Sequence, residues 1–418
     1  LAAEPAGRHD GGRRSNQELD VMTGPITRRA TLAGLGAAAA LTLRPGFAQA
    51  PPIALGTLTP LSGAGGKYGP VMRDAVAAVV AQVNEAGGVL GRQIVLTSED
   101  DETNPEAGVR AAHKLIDVDK VSAIIGTWAS SVTTAVAPLC WESKTFLTTT
   151  SGADSITQLP HQGYLIRTQP NTELQGRKFG EFALELGAKR AYFLLPQTPF
   201  TQSMIDNVGK ALVAKSVTLG SEVYDAKKTS YRSEVDQALR DQPDTLFLGG
   251  YSTDTAVLLR DVYRAGFKGR MIAFGYAVDG KLLESVPPEA TEGVYTLSPS
   301  PALDAGAYKK VLALLKLDAL DPYTAQVYDH INLILLAIAK AGDASGTAIR
   351  DNIRKVSQGP GMVVDNALDG FKLIAQGQEV NYDGASGPCD FDAKGDILSA
   401  KFKYEQVKAG KLTLLKIA

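Results

Sequence analysis

Ile53-Ala54-Leu55-Gly56-Thr57-Leu58 is followed by the loop Ser62-Gly63-Ala64-Gly65-Gly66, and then by Met72, Ala75, Val76, Val79, Val80 and Val83. The first run is short and apolar, as a buried strand is, and glycine and serine punctuate its end. The later residues recur at intervals of three and four, which gathers them on one face of a helix that stops at Gly87-Gly88. Strand, loop and amphipathic helix make a βα unit. Working outward, Ile94 to Leu96 and Val121 to Gly126 read as further strands, with a helix at 107–117 carrying Ala111, Ala112, Leu115 and Ile116 on one face. The alternation resumes with strands at Ala191 to Leu195, Thr245 to Leu248 and Met271 to Phe274, separated by helical stretches near 202–214, 231–240 and 254–265. Repeated βα units predict parallel sheets covered by helices on both faces, and two doubly wound lobes suit this pattern better than one large sheet. Past Ser298-Pro299-Ser300-Pro301, helical patterns at 308–317 and 324–341 are either a third domain or the chain crossing back to finish the first lobe.

Composition narrows the function. A chain of 418 residues predicts two or three domains. Its 43 Lys and Arg against 45 Asp and Glu leave a formal charge of -2, without the positive field that nucleic acid or a polybasic membrane contact requires. Two cysteines, Cys140 and Cys389, are too few for a disulfide framework or a four-thiolate zinc site. From Met22 the order is Thr27-Arg28-Arg29, a Gly/Ala/Leu run from Ala33 to Leu43, and Ala48-Gln49-Ala50 before Pro51. Basic, apolar and small-residue regions in that order read as an export signal cleaved near Ala50, and the paired arginines resemble a twin-arginine signal. The run falls short of the roughly 20 residues that cross a bilayer, so the protein is not expected to span a membrane.

Several chemistries lack their residues. The loop Gly63 to Tyr68 is not a Walker motif, because Leu61 stands where its first glycine belongs and Tyr68 where Ser or Thr belongs. Tyr68 also occupies the third glycine position of a dinucleotide fingerprint. No nucleophile elbow, zinc-protease helix or Cys-x-x-Cys is present. His113, His161 and His330 are not at metal-ligand spacing and read as surface or helix-face residues, and Glu99-Asp100-Asp101-Glu102 reads as a solvated turn. The sequence therefore calls for no cofactor and no metal, and indicates no enzyme.

Three stretches, in order and spacing, carry a resemblance across nearly the whole chain after Pro51. They are Gly56-Thr57-Leu58-Thr59-Pro60-Leu61-Ser62-Gly63 running to Asn84-Glu85-Ala86-Gly87-Gly88-Val89-Leu90-Gly91, Asp100-Asp101 with Asn104-Pro105 and Ile124-Ile125-Gly126-Thr127-Trp128-Ala129-Ser130-Ser131, and Tyr382-Asp383-Gly384 with Phe391-Asp392-Ala393-Lys394-Gly395-Asp396. Together they resemble the periplasmic solute-binding proteins of ABC importers, type I fold, in the branch of the leucine/isoleucine/valine-binding protein. The resemblance implies two α/β lobes joined by three hinge crossings near Arg167-Thr168, Ser298-Pro299 and Gly387-Pro388. It divides the chain into a leader and signal at 1–50, a first lobe at 51–168 plus 299–388, and a second at 169–298 plus 389–418. It also implies a small-molecule solute held in the cleft between lobes, an inner-membrane permease and its ATPase as partners, and a monomer in the periplasm. Cys140 and Cys389 would then lie in different lobes, with no bond between them.

Site residues follow the same resemblance. Trp128, Ala129 and Ser130 follow the strand ending at Gly126 and open a helix, whose free N–H groups suit an acceptor such as a carboxylate. Tyr68, Phe200, Tyr251 and Tyr323 match aromatic wall positions. In the amino-acid binders a threonine and a glutamate hold the ligand ammonium. Here the threonine stretch is Ser151-Gly152-Ala153-Asp154, and the glutamate position falls at Tyr276 or Ala277. Unless Asp154 or Asp279 serves instead, a buried ammonium has no carboxylate, and the solute is a small carboxylate or amide, aromatic ones included. Branched-chain amino acids remain the alternative solute, and a periplasmic ligand sensor the alternative role.

Overall fold

The computed structural model describes residues 50–418, and apart from Ala50 the expected signal segment lies outside the described residues. Five parallel strands form the first sheet: β1 (Ile53–Thr59), β2 (Ile94–Asp100), β3 (Ala123–Gly126), β4 (Phe146–Thr149) and β5 (Leu165–Arg167), in the order β2-β1-β3-β4-β5. The next five are β6 (Arg190–Pro196), β7 (Thr218–Tyr224), β8 (Thr245–Leu248), β9 (Arg270–Phe274) and β10 (Tyr295–Pro299). They wind the same way, in the parallel order β7-β6-β8-β9-β10. A separate parallel pair, β11 (Met362–Val364) and β12 (Val380–Tyr382), comes later. The antiparallel strands β13 (Phe402–Lys408) and β14 (Lys411–Ile417) then extend the second sheet beyond β10. Each parallel set reverses direction of winding once, between β1 and β3 and between β6 and β8. A crevice opens beyond the carboxyl ends of the strands at such points.

The inner strands β1, β3 and β4 of the first sheet are buried on both faces because helices cover both, while the edge strand β2 is partly exposed. Leu55, Leu58, Ile124, Ile125, Phe146 and Leu147 are fully buried. The late helix Pro322–Ala341 is apolar nearly all round and packs into this same core with Ile331, Leu333, Ile334 and Leu336. The chain therefore crosses back, and these helices are not a third domain. The second sheet has cores on its two faces, one around Leu246, Leu248 and Leu259, the other around Phe193, Phe247 and Phe274.

Three expectations are corrected. Cys389, Phe391 and Ile397 pack in the first core together with Cys140, so the two cysteines do not lie in different lobes; both are free and buried. His161 is buried outside any helix, neither a surface nor a helix-face residue, whereas His330 lies in the helix Pro322–Ala341 but is fully buried. The acidic turn is not wholly solvated either, since Asp101 is fully buried at the end of β2.

The burial of Asp101 has a measurable effect. Its Oδ1 accepts from Thr103 N at 2.7 Å, while its Oδ2 has no partner among the described residues. Burial pushes the carboxyl up to about 7. Between the unfolded value near 4 and about 7 the folded protein holds a proton that the unfolded chain has released, so this group's contribution to stability falls as pH rises through that window. His330, held neutral by burial down to about 3, acts in the opposite direction below its unfolded value. The clean measurement is therefore a difference. Asp101→Asn is expected to gain on the order of 2 kcal/mol over the native chain between pH 5 and pH 7 in urea unfolding, and equal pH profiles would contradict the assignment.

Candidate functional site

One cavity lies where the two crevices face each other. It is lined from the first sheet by Trp128, Ala129, Ser130, Ser131, Thr150 and Gly152, and from the second by Pro196, Thr198, Phe200, Thr201, Gly250 and Tyr251. Phe274, Gly275, Tyr276 and the stretch Leu297 to Pro299 form another wall, and Gln169, Gln175 and Tyr323 complete it.

The loop after β3 is built by constraint. Gly126 has φ +123°, and a Cβ there would lie 2.5 Å from Leu58 O, so glycine alone fits. Thr127, at φ +53°, is held by its own hydroxyl, which donates to Thr149 Oγ1 at 2.9 Å and meets Thr133 Oγ1 at 3.1 Å. Ser151 Oγ donates to Trp128 O at 2.9 Å. These hydroxyls fix Trp128 and Ala129 at the start of the helix Ser130–Ser143. Asn171, Thr198 and Asp279 cap their own helices with side chains, but no side chain caps this one, and its first N–H groups are left for another acceptor.

The aromatic wall is continuous. Trp128 lies 5.7 Å from both Tyr251 and Tyr276 and 5.6 Å from Tyr323, ring centre to ring centre. Tyr276 stacks on Phe274 at 5.5 Å, and Phe200 meets Phe274 edge-on. Burial pushes the Tyr251 phenol up to about 12 and raises those of Tyr276, Tyr323 and Tyr68, so the wall presents neutral hydroxyls. Lys67 from the loop after β1 reaches across to Asp279 at 2.5 Å and to Tyr276 O at 3.1 Å, tying this wall to the first lobe.

Eight of the twelve residues expected from the sequence line the cavity: Trp128, Ala129, Ser130, Gly152, Phe200, Tyr251, Tyr276 and Tyr323. The other four do not. Tyr68 stands behind the wall, against Trp128 at 5.3 Å and Tyr323 at 5.0 Å. Ser151 turns into the hydroxyl network, and Ala153 is buried with its N–H on Ser130 Oγ and its carbonyl on Arg167. Asp154 faces away, accepting from Asn207 Nδ2 at 2.6 Å and Glu173 N at 3.1 Å. Asp279 is occupied by Lys67 and by Leu282 N, which it caps. Thus neither acid offered for an ammonium reaches the cavity. Sequence reasoning missed Thr150, Gln169, Gln175, Thr198 and Phe274; Thr198 and Phe274 lie at the carboxyl ends of β6 and β9, where the winding rule points. No signal marks Gln175 within its helix.

A profile described as periplasmic binding protein matches residues 52–411. The chain belongs to that family. Among its relatives, the chemotactic signal transduction system substrate-binding protein BasB of Halobacterium salinarum is 29% identical, over 86% of this chain and 88% of its own. The Leu/Ile/Val-binding protein BraC3 of Rhizobium johnstonii is 24% identical, over 86% and 93%. The solved structure of a leucine binding protein, LivK, of Thermotoga maritima superposes with a TM-score of 0.74 at 23% identity, covering 87% of this chain and 98% of that one. A solute-binding protein of an ABC transporter from R. palustris, in complex with benzoate, gives 0.69 at 19%, covering 88% and 96%. These superpositions establish the two-lobe α/β fold, and the function of this binding protein is solute binding. Its fold is that of substrate-binding proteins, and among the described residues no helix is long and apolar enough to cross a membrane.

Proposed function

We propose that this binding protein captures a small solute without an α-ammonium group, a carboxylate or an amide with a flat apolar body, and delivers it to an inner-membrane ABC permease. The observation that carries the reading is the lining itself: it contains no Asp, Glu, Lys, Arg or His. A buried ammonium there would stand unpaired, at a cost of several kcal/mol. The uncapped start of Ser130–Ser143 offers N–H groups to an acceptor on the solute, and the aromatic wall sandwiches its body. At about 60 Å³ the cavity is small, against roughly 300–1,000 Å³ for drug-sized ligands, which favours a compact solute.

The lobes we assign are 51–168 with 299–388, the first extended to Ile397 by the packing of Cys389 and Phe391, and 169–298 with the strands β13 and β14. Closure of the two over the solute makes the form a permease recognises. Arg28-Arg29 and the run that follows them support export by the twin-arginine route to the periplasm, with cleavage near Ala50. The protein acts as a monomer, with no enzymatic turnover. A sensor role is the second reading, favoured by the chemotactic name of the relative from Halobacterium salinarum.

The test is a melting series on protein unfolded and refolded to strip carried solute, with branched-chain amino acids, short amides and urea, and benzoate- or cinnamate-type acids. A solute at a hundred times its dissociation constant adds about 2.7 kcal/mol. Stabilisation by non-amino acids is expected. Stabilisation by amino acids alone would refute the reading.

A further inference from the structure

Two glutamines of the cavity lining have half of each amide committed and half open. Gln169 follows β5 on the first crossing between lobes, and Gln175 lies in the helix Thr172–Glu185; both are nearly sealed from solvent, at 3% exposure. Gln169 Oε1 accepts from Gln326 Nε2 at 2.7 Å, while its own Nε2 has no acceptor among the described residues. Gln175 Nε2 donates to Pro170 O at 2.6 Å, while its Oε1 has no donor. Neither open atom is among the sealed, partnerless polar atoms of the interior, and both residues line the cavity. One open donor and one open acceptor are therefore left on two residues of the lining.

We propose that Gln169 and Gln175 are the specificity-determining pair and that they select a neutral primary carboxamide. The solute carbonyl accepts from Gln169 Nε2 and its amino group donates to Gln175 Oε1. A carboxylate in the same place sets an anionic oxygen against Gln175 Oε1, and an ammonium sets a cation against the Gln169 amino group; either leaves a buried polar contact repulsive. The order of donor and acceptor is fixed by the committed halves. Turning Gln175 over would oppose its oxygen to the Pro170 carbonyl. Turning Gln169 requires Gln326 to turn with it, which exchanges one partnerless oxygen, Gln326 Oε1, for a partnerless amino group with two hydrogens.

This inference rests on the cavity being the solute site, and the test separates the two. Full-length protein freed of carried solute is titrated calorimetrically with benzamide and benzoate, with propionamide and propionate, and with leucine. The same titrations are run on Gln169→Met and Gln175→Met, whose solute-free melting temperatures report folding. At least one amide is expected to bind 10-fold or more tightly than its matched acid, and each variant to erase most of that preference. If a variant fails to fold, N-methylation of the bound amide in the native protein serves instead, since it blocks the amino group and is expected to weaken binding at least 10-fold. Equal or tighter binding of the acids overturns the amide assignment and leaves the solute site standing. Binding of leucine alone overturns both, and failure of every amide to bind overturns the assignment.

Discussion

Replacing Arg167 by methionine is expected to lower the unfolding free energy by about 3–5 kcal/mol, the range for removing one partner of a buried ion pair. Arg167 is fully buried. Its Nε donates to Asp396 Oδ1 at 2.6 Å, its Nη1 to Ser151 O at 3.2 Å and Ala153 O at 2.7 Å, and its Nη2 to Thr157 Oγ1 at 3.0 Å. Methionine fills much of the volume but strands the Ser151 carbonyl, leaves the Ala153 carbonyl only Ile156 N at 3.3 Å, and takes the charged partner from Asp396. Asp396 keeps only Thr157 and Asn171 as side-chain donors, at 3.1 and 3.2 Å. Because Arg167 and the other donors hold Asp396 below the usual carboxylate range, the loss is expected at neutral pH, where that carboxylate is ionised, and to shrink in acid. Arg167→Met combined with Asp396→Asn is expected to recover part of the loss, since the stranded charge is then gone. Urea unfolding of the three variants at pH 7 checks this. A loss under about 1 kcal/mol for Arg167→Met would show that the network does not hold the crossing.

That network also explains what was and was not legible in the sequence. The first βα unit was, because Leu55, Leu58 and the helix residues Met72 to Val83 all face one core and carry its periodicity. The strands β4 and β5 escaped because each carries only two apolar residues, Phe146-Leu147 and Leu165-Ile166, against three in the equally short β3 and β8, and so shows no apolar run. β7 escaped because it is an edge strand of mixed polar and apolar residues, Thr218 to Tyr224, with no apolar run to mark it, and β14, also an edge strand, leaves its leucines largely exposed. In the site, resemblance led to the loop 151–154, which reaches the cavity, but not to the direction of its side chains. Arg167 draws the Ser151 and Ala153 carbonyls inward and Asn207 draws Asp154 outward, so Gly152 alone of the four lines the cavity. Those pulls come from residues distant in sequence, and local spacing cannot encode them. The positions where threonine and glutamate are missing correspond to a lining without Asp, Glu, Lys, Arg or His.

Gly152→Val is expected to weaken solute binding at least 100-fold, about 2.8 kcal/mol, while changing the melting temperature of the solute-free protein far less. A Cβ on Gly152 would lie 2.8 Å from Phe200 Cε2 and 2.8 Å from Gln175 Nε2. Phe200 belongs to the helix Pro199–Val213 of the second sheet and Gly152 to the loop after β4 of the first, so the added methyls press the two lobes apart where the solute sits. The stress is confined to the cavity, for the backbone bond from Thr172 N to Gly152 O, at 2.9 Å, does not depend on the side chain. Lobes held apart lower the population of the closed form, and apparent affinity falls by that fraction in addition to the direct loss of volume. Gly152→Ala, with one carbon instead of three, is expected to fall between the native protein and valine. This graded series distinguishes a filled cavity from a misfolded chain, because misfolding would lower the solute-free melting temperature in parallel with affinity. Isothermal titration with the tightest-binding solute, alongside melting without it, makes the comparison. Native affinity in Gly152→Val would place the solute elsewhere and remove the argument drawn from the uncharged lining.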